Sequence, residues 1–294
     1  MRTNLQSTKW TMCVLATALV AACGAEADPE RAAGEEASLA STHMAVVTEF
    51  GYAVQEPEGV APGFDIDGRT SVDGDPGGCG QADFTSPGGD VGVDNALAHF
   101  IPLLEAFSEG ATAGLIQGSI NEGGLLVMME WEQDELGVPQ ALTVRRGAGA
   151  PLLGTDARLL SGQSFDLYED DPLLGVTDNV TLDDRVLLAG PMALRLPIVV
   201  FGLLYVFDMT NAWVRFRIDD DGSMLDGVLG GSITIDNIME LVTVASSRVG
   251  DDLVTLFGPA IRNFADLELD AEGVCHSMSV ALVFRGSPAF LYSE

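Results

Sequence analysis

Lysine is all but missing from this chain, with Lys9 the one example in 294 residues. Lys9 lies in a segment that reads as a removable leader, so the mature protein has none. That excludes a lysine Schiff base, a serine–lysine dyad and a P-loop lysine in one step. Histidine is nearly as scarce, being limited to His43, His99 and His276, and no HExxH pattern occurs. No GxSxG elbow is present either, so a Ser-His-Asp set would have to be assembled by folding alone. Positive charge is thin throughout: 14 basic residues face 44 acidic ones, giving a formal charge of -30 and a pI near 4.1. Nucleic acid and anionic lipid headgroups would both be repelled by such a surface. Long apolar runs are also absent. The stretch Leu196 to Phe207 is broken by Pro197 and Gly202 and is too short to cross a bilayer as a helix, so it reads as buried strands.

What is present begins with an address. Residues 1–22 carry Arg2 and Lys9 ahead of an apolar run from Trp10 to Ala22 that ends in small residues, the pattern of a secretion signal. The run closes as Leu19-Val20-Ala21-Ala22-Cys23, which resembles the bacterial lipoprotein box, with Cys23 as the lipidated residue. The alternative is an ordinary signal peptide cut near Ala25. Gly24 after the cysteine favours the outer membrane by analogy with Gram-negative sorting. Cleavage removes two cations and no acid, taking the formal charge from -30 to -32. The Ala, Glu and Gly-rich stretch that follows, residues 23–43, reads as a flexible tether.

With Cys13 leaving in the leader and Cys23 taking lipid, two of the four cysteines remain, Cys79 and Cys275. In an oxidising compartment two leftover thiols most simply pair. A zinc site or a reactive thiol are the alternatives, but neither cysteine belongs to a CxxC or stands beside a spaced histidine pair.

Residues 44–294 read as a single α+β domain, mainly antiparallel β, arranged as a sandwich or a partly open barrel. Val46, Phe50, Tyr52 and Val54 share one parity, as in a strand with one buried face. An acidic Gly, Pro and Asp-rich loop spans 56–94. A helical insert follows over 95–121, started by Asp94-Asn95, with Leu97, Ile101, Leu104 and Phe107 at helical spacing and Pro102 predicting a kink or restart. From 125 to 294 the chain turns β-rich. Its clearest hairpin lies between Trp213 and Ile235 around Asp220-Asp221-Gly222. Residues 238–247 and 252–264 alternate between helical and turn character.

The loop is the strongest candidate site. Asp65, Asp67, Asp73, Asp75, Asp83, Asp90 and Asp94 crowd into Gly63 to Asn95 against the single Arg69. Carboxylates packed this way repel unless a hard cation sits among them, and calcium takes six to eight such oxygens. The stretch resembles acidic DxDG loops of extracellular calcium proteins yet fails the EF-hand template. The competing reading is a solvated loop stapled by Cys79, whose aspartates serve turns and caps.

The runs GFDIDGR, GCGQADFTSPGG and GVDNALA, joined to a late GVLGGSITI and a closing GVCHSMSVALVF, resemble a group of uncharacterised secreted lipoproteins of myxobacteria and related bacteria. The resemblance implies export and pairing of Cys79 with Cys275. It implies no reaction, ligand or catalytic residue.

Two other roles are weighed. Glu130, Glu132, Asp166, Glu169 and Asp170 lie on or beside strands near Trp131, as a carboxylate-based hydrolase would need, although exposed strand faces supply such pairs without chemistry. The dense apolar block from Leu187 to Phe207 would also suit a barrel that carries a lipid or another apolar ligand. The expectation is a non-enzymatic interaction protein of the cell envelope, anchored in the outer membrane by lipid, with a calcium-stabilised loop.

Overall fold

The computed structural model describes residues 41–108, 111–200, 203–250 and 252–292. The leader, Cys13, Cys23 and the tether up to residue 40 lie outside the described residues. Ser41–His43, assigned to the tether above, instead begin the first strand, because they pair with β2 on a shared ladder.

The elements run β1 (Ser41–Tyr52), α1 (Leu97–Ser108), α2 (Ala111–Asn121), β2 (Val127–Gln133), β3 (Pro139–Ala148), β4 (Gln163–Leu167), β5 (Leu173–Thr177), β6 (Val180–Asp183) and β7 (Val186–Val200). They continue with β8 (Leu203–Ile218), β9 (Met224–Thr234), α3 (Ile235–Val249), α4 (Leu253–Asn263), β10 (Leu267–Leu269) and β11 (Cys275–Leu291). The β8–β9 hairpin forms on the expected Asp-Gly turn: Gly222 takes a positive φ of 83°, and Asp219 and Ser223 close the loop by a backbone bond of 2.9 Å.

One large, mostly antiparallel sheet dominates. β11 is its hub, pairing antiparallel with β1 on one side and β9 on the other. From β11 the sheet runs through β1, β2 and β3 to β5, and in the other direction through β9 and β8 to β7 and β6. The two ends meet without a ladder. A Cβ on Gly175 of β5 would stand 2.9 Å from the Ala193 carbonyl of β7, so the strands approach closely and the sheet curls into a partly open barrel.

Aromatic rings fill its interior. Trp131 of β2 meets Phe216 of β8 edge-on at 5.5 Å, Phe216 meets Phe284 of β11 at 6.2 Å, and Phe284 meets Phe50 of β1 at 5.9 Å. β2 and β8 share no ladder, so the Trp131–Phe216 contact crosses the barrel. The Phe284 ring is admitted by Gly227 opposite it, where a Cβ would sit 2.5 Å from a ring carbon. α2 touches both β1 and β7, strands that no ladder joins.

Three local readings change. α1 continues through Pro102 as one helix and does not restart there; the residue lies on an exposed side, and only one backbone bond is forgone. Ile235 starts α3 rather than ending a strand, because the Thr234 side chain accepts from the Asn237 N–H at 3.2 Å and caps the helix there. Residues 252–264 are helical from the Asp252 cap, which accepts from the Thr255 N–H at 3.0 Å.

Phe216→Ala removes the central ring of the interior and is expected to destabilise the fold by about 3–5 kcal/mol in urea unfolding. Leu136→Ala, at a residue 86% exposed, should cost under about 0.5 kcal/mol, and comparable losses for the two would contradict a filled interior.

Candidate functional site

The acidic segment is folded. Isolated bridges join Val60 to Thr85, Phe64 to Asp94 and Phe84 to Val93, and Ala61, Phe84, Val93 and Ala98 make a small apolar core of their own. Phe64 stacks on Trp213 of β8 at 6.4 Å and holds the segment against the barrel. Cys79 and Cys275 form a disulfide with Cα atoms 6.1 Å apart, clipping the segment to the start of β11. Gln81 adds a bond of 2.8 Å to the Asn263 carbonyl at the end of α4.

The seven aspartates divide. Asp65, Asp67 and Asp94 converge, each offering an oxygen within 4.8 Å of the others. Asp65 and Asp67 are exposed and accept from the Gly68 and Arg69 N–H groups at 2.7 and 2.9 Å. Asp94 is buried, its Oδ2 accepting from the Ile66 N–H at 2.6 Å and the Asp67 N–H at 3.3 Å. Asp83 is half-buried and accepts from the Ser71 N–H at 2.5 Å, outside the converging group.

Asp73, Asp75 and Asp90 do not join the set, which corrects the seven-residue expectation. Asp75 caps the short 3-10 turn Pro76–Gly78 through the Gly77 N–H, Asp90 accepts from the Ser86 hydroxyl at 2.9 Å, and Asp73 sits exposed in a turn. Asp75 and Asp90 follow the turn-and-cap reading, the first accepting from a nearby backbone N–H and the second from a hydroxyl four residues back.

Sequence reasoning missed the residues behind the cluster. Asp266, in the α4–β10 connection, is buried and accepts from both the backbone N–H of Ser279, at 2.7 Å, and its hydroxyl. The same hydroxyl oxygen accepts from the Ala96 N–H at 2.7 Å, tying the entrance of α1 to β11. Between Asp94 and Ala96, the buried Asn95 donates to the Ala53 and Pro62 carbonyls at 2.8 and 3.0 Å, while its Oδ1 has no partner. No sequence signal marks Asp266, which comes from far along the chain.

Burial pushes the Asp94 carboxyl up to about 8; Asp67, Asp266 and Asp83 add to the rise and the Ile66 N–H opposes it. Burial likewise raises Asp266 to about 7 against the Ser279 donors, and it raises Asp83. Among the described residues, no ion pair joins Asp94 or Asp266 to a cation. Either protons or an external cation must offset this charge near neutral pH.

The histidines sit apart from the cluster's chemistry. His99 lies between Phe84, at 4.7 Å, and Phe264, at 5.9 Å, with its pKa lowered by burial. His276 pairs with Asp270 at 2.7 Å on the surface, and His43 stacks on Trp131 at 5.5 Å. Glu130 is engaged by Arg145 at 2.5 Å, while Glu132, Asp166, Glu169 and Asp170 are exposed. Trp131 is buried inside the barrel, so its ring is unavailable as a sugar platform. No family model, curated protein or solved structure matches this chain.

Removing the disulfide with Cys79→Ser and Cys275→Ser should cost up to about 5 kcal/mol by the loop-entropy estimate, read by urea unfolding without reductant. A negligible loss would mean the segment docks without its clip.

The raised carboxyls set a pH dependence. Between the ordinary value of 3.8 and the folded values of about 8 for Asp94 and about 7 for Asp266, the folded state holds protons that the unfolded chain releases. Their contribution is therefore most favourable at low pH and is lost as pH rises through that window. In chelator, Asp94→Asn should gain stability over the parent at pH 8, with the gain shrinking toward pH 5. A difference independent of pH would rule out Asp94 as a source.

Proposed function

We propose that this chain is a lipid-anchored interaction protein of the bacterial cell envelope, without enzymatic activity, whose clipped acidic segment takes a calcium ion. The observation that carries the calcium reading is the convergence of Asp65, Asp67 and Asp94 on one segment, with Asp94 buried and, among the described residues, in no ion pair. Calcium suits the donor set because hard carboxylate oxygens are its preferred ligands. Binding at Asp94 displaces a proton, so affinity should rise with pH across neutrality. The lipoprotein-like box ending at Cys23 supports anchorage, and the Cys79–Cys275 pair fits an oxidising compartment. No helix among the described residues is long and apolar enough to cross a membrane.

The carrier alternative draws less support, since Trp131, Phe216, Phe284 and Phe50 occupy the barrel interior. The hydrolase alternative also draws less support: His43 meets the Ser41 hydroxyl at 3.1 Å, but on the surface and with Gln133 rather than a carboxylate as its other partner, and the expected carboxylates Glu132, Asp166, Glu169 and Asp170 are exposed while Glu130 is held by Arg145.

Thermal melting of the mature protein at pH 7.5 tests the ion. At a calcium concentration a hundredfold above Kd, the midpoint should rise by about 5–10 °C over the chelated sample. The double variant Asp65→Asn, Asp67→Asn should abolish the rise; coincident melts in calcium and chelator for the parent would remove calcium from the account. Intact mass measurement of protein from its own host tests the anchor, which requires an acylated amino end at Cys23.

A further inference from the structure

The barrel wall contains a break. β1 pairs with β2 from Ser41 to Val46 but with β11 only from Ala45 to Tyr52, so among the described residues the edge of Ser41–Met44 away from β2 has no ladder. The cause lies in β11. It follows β1 as far as Pro288 and then turns to pair in parallel with β4 through Ala289, Phe290 and Leu291. Where the two strands diverge, a cavity of about 360 Å³ opens between the β1 edge, the end of β11 and the Asp221-Gly222 turn of the β8–β9 hairpin.

The lining has a definite chemistry. Phe290 is 59% exposed, and the His43 ring rests on the buried Trp131, so apolar ring surface borders the cavity. Asp221 and Glu130 supply carboxylates, and among the described residues no lysine or arginine lines the space. Glu130 is shared with Arg145, leaving Asp221 as the uncommitted charge. Asp221 accepts from the Ser223 N–H at 2.9 Å, which holds its carboxyl below the usual range, so it stays ionised at neutral pH.

We propose that this rim binds an extended peptide segment carrying a basic side chain, added as a strand to the free edge of β1. An unpaired edge offers backbone donors and acceptors that a small apolar molecule would leave unmet, and an adjoining pocket for alternate side chains is how strand addition acquires selectivity. Charge complementarity selects arginine or lysine: the pocket is anionic and so is the whole protein. The inference rests on the interaction-protein reading and names its partner class, but it needs neither calcium nor the anchor.

The test titrates the mature full-length protein, in chelator, with fluorescein-labelled hexapeptides of alternating valine and threonine bearing one central arginine. Polarisation is read alongside tryptophan emission, which then reports only Trp131 and Trp213. Saturable binding is expected below about 1 mM. A central glutamate in place of arginine, or N-methylation of alternate peptide amides, should weaken it at least tenfold. Asp221→Asn, which keeps an acceptor for Ser223, and Phe290→Ala should each weaken it several-fold while leaving the melting midpoint near that of the parent. Equal binding of the arginine and glutamate peptides, indifference to N-methylation, or no binding at all would overturn the proposal. Because no calcium is present, such a failure stands apart from a failure of the melting experiment, and a poorly folded variant leaves the peptide comparison decisive.

Discussion

Burying carboxylates in a chain with 44 acidic residues against 14 basic ones is the constraint around which this molecule is arranged. Asp94 and Asp266 sit out of solvent, each satisfied by backbone or hydroxyl donors and, among the described residues, neither paired with a basic side chain. Such an arrangement favours the neutral acid or a bound cation, since a desolvated carboxylate without either is costly. The acidic segment, the entrance of α1, the α4–β10 connection and β11 all meet there. Changes of charge at this junction therefore reach both the segment and the barrel.

The barrel tolerates that junction because its own stability comes from elsewhere. Its interior is apolar, with Trp131, Phe216, Phe284 and Phe50 in a chain of ring contacts and Met129 and Met224 buried around them. Hydrophobic burial is indifferent to pH, whereas the junction is not. The disulfide lies between the two regimes. It fixes the segment to β11 without relying on the carboxylates, so the segment stays tethered when they repel.

Local rules made much of this readable. The Asp-Gly turn at the β8–β9 hairpin, the cap at Asp252 and the fate of Asp75 and Asp90 as turn residues all depend on neighbours within a few positions. The pairing of Cys79 with Cys275 was legible for another reason: once the other cysteines are assigned, two thiols leave one partner each. Convergence of Asp65 and Asp67 with Asp94 was only half visible, because seven similar aspartates give no hint which three share a space. Asp266 was invisible; it arrives from a distant connection, and its burial depends on how that connection bonds to Ser277 and Ser279 of β11. Ile235 read as strand because isoleucine suits either structure, and the deciding group was the hydroxyl before it. The break in the wall at Pro288 follows from a change of partner along one strand, which periodicity does not encode.

β11 joins β1 across more than two hundred intervening residues, with Ala45 opposite Pro288. Contacts between such distant stretches are slow to form, because the intervening chain must be confined before they return any stabilisation. During synthesis β1 can meet β2 from Ser41 to Val46 early, but Val47 and Phe50 lie on the part of the strand that only β11 pairs and wait for the end of the chain. The hazard of self-association through that strand is concentrated in this interval.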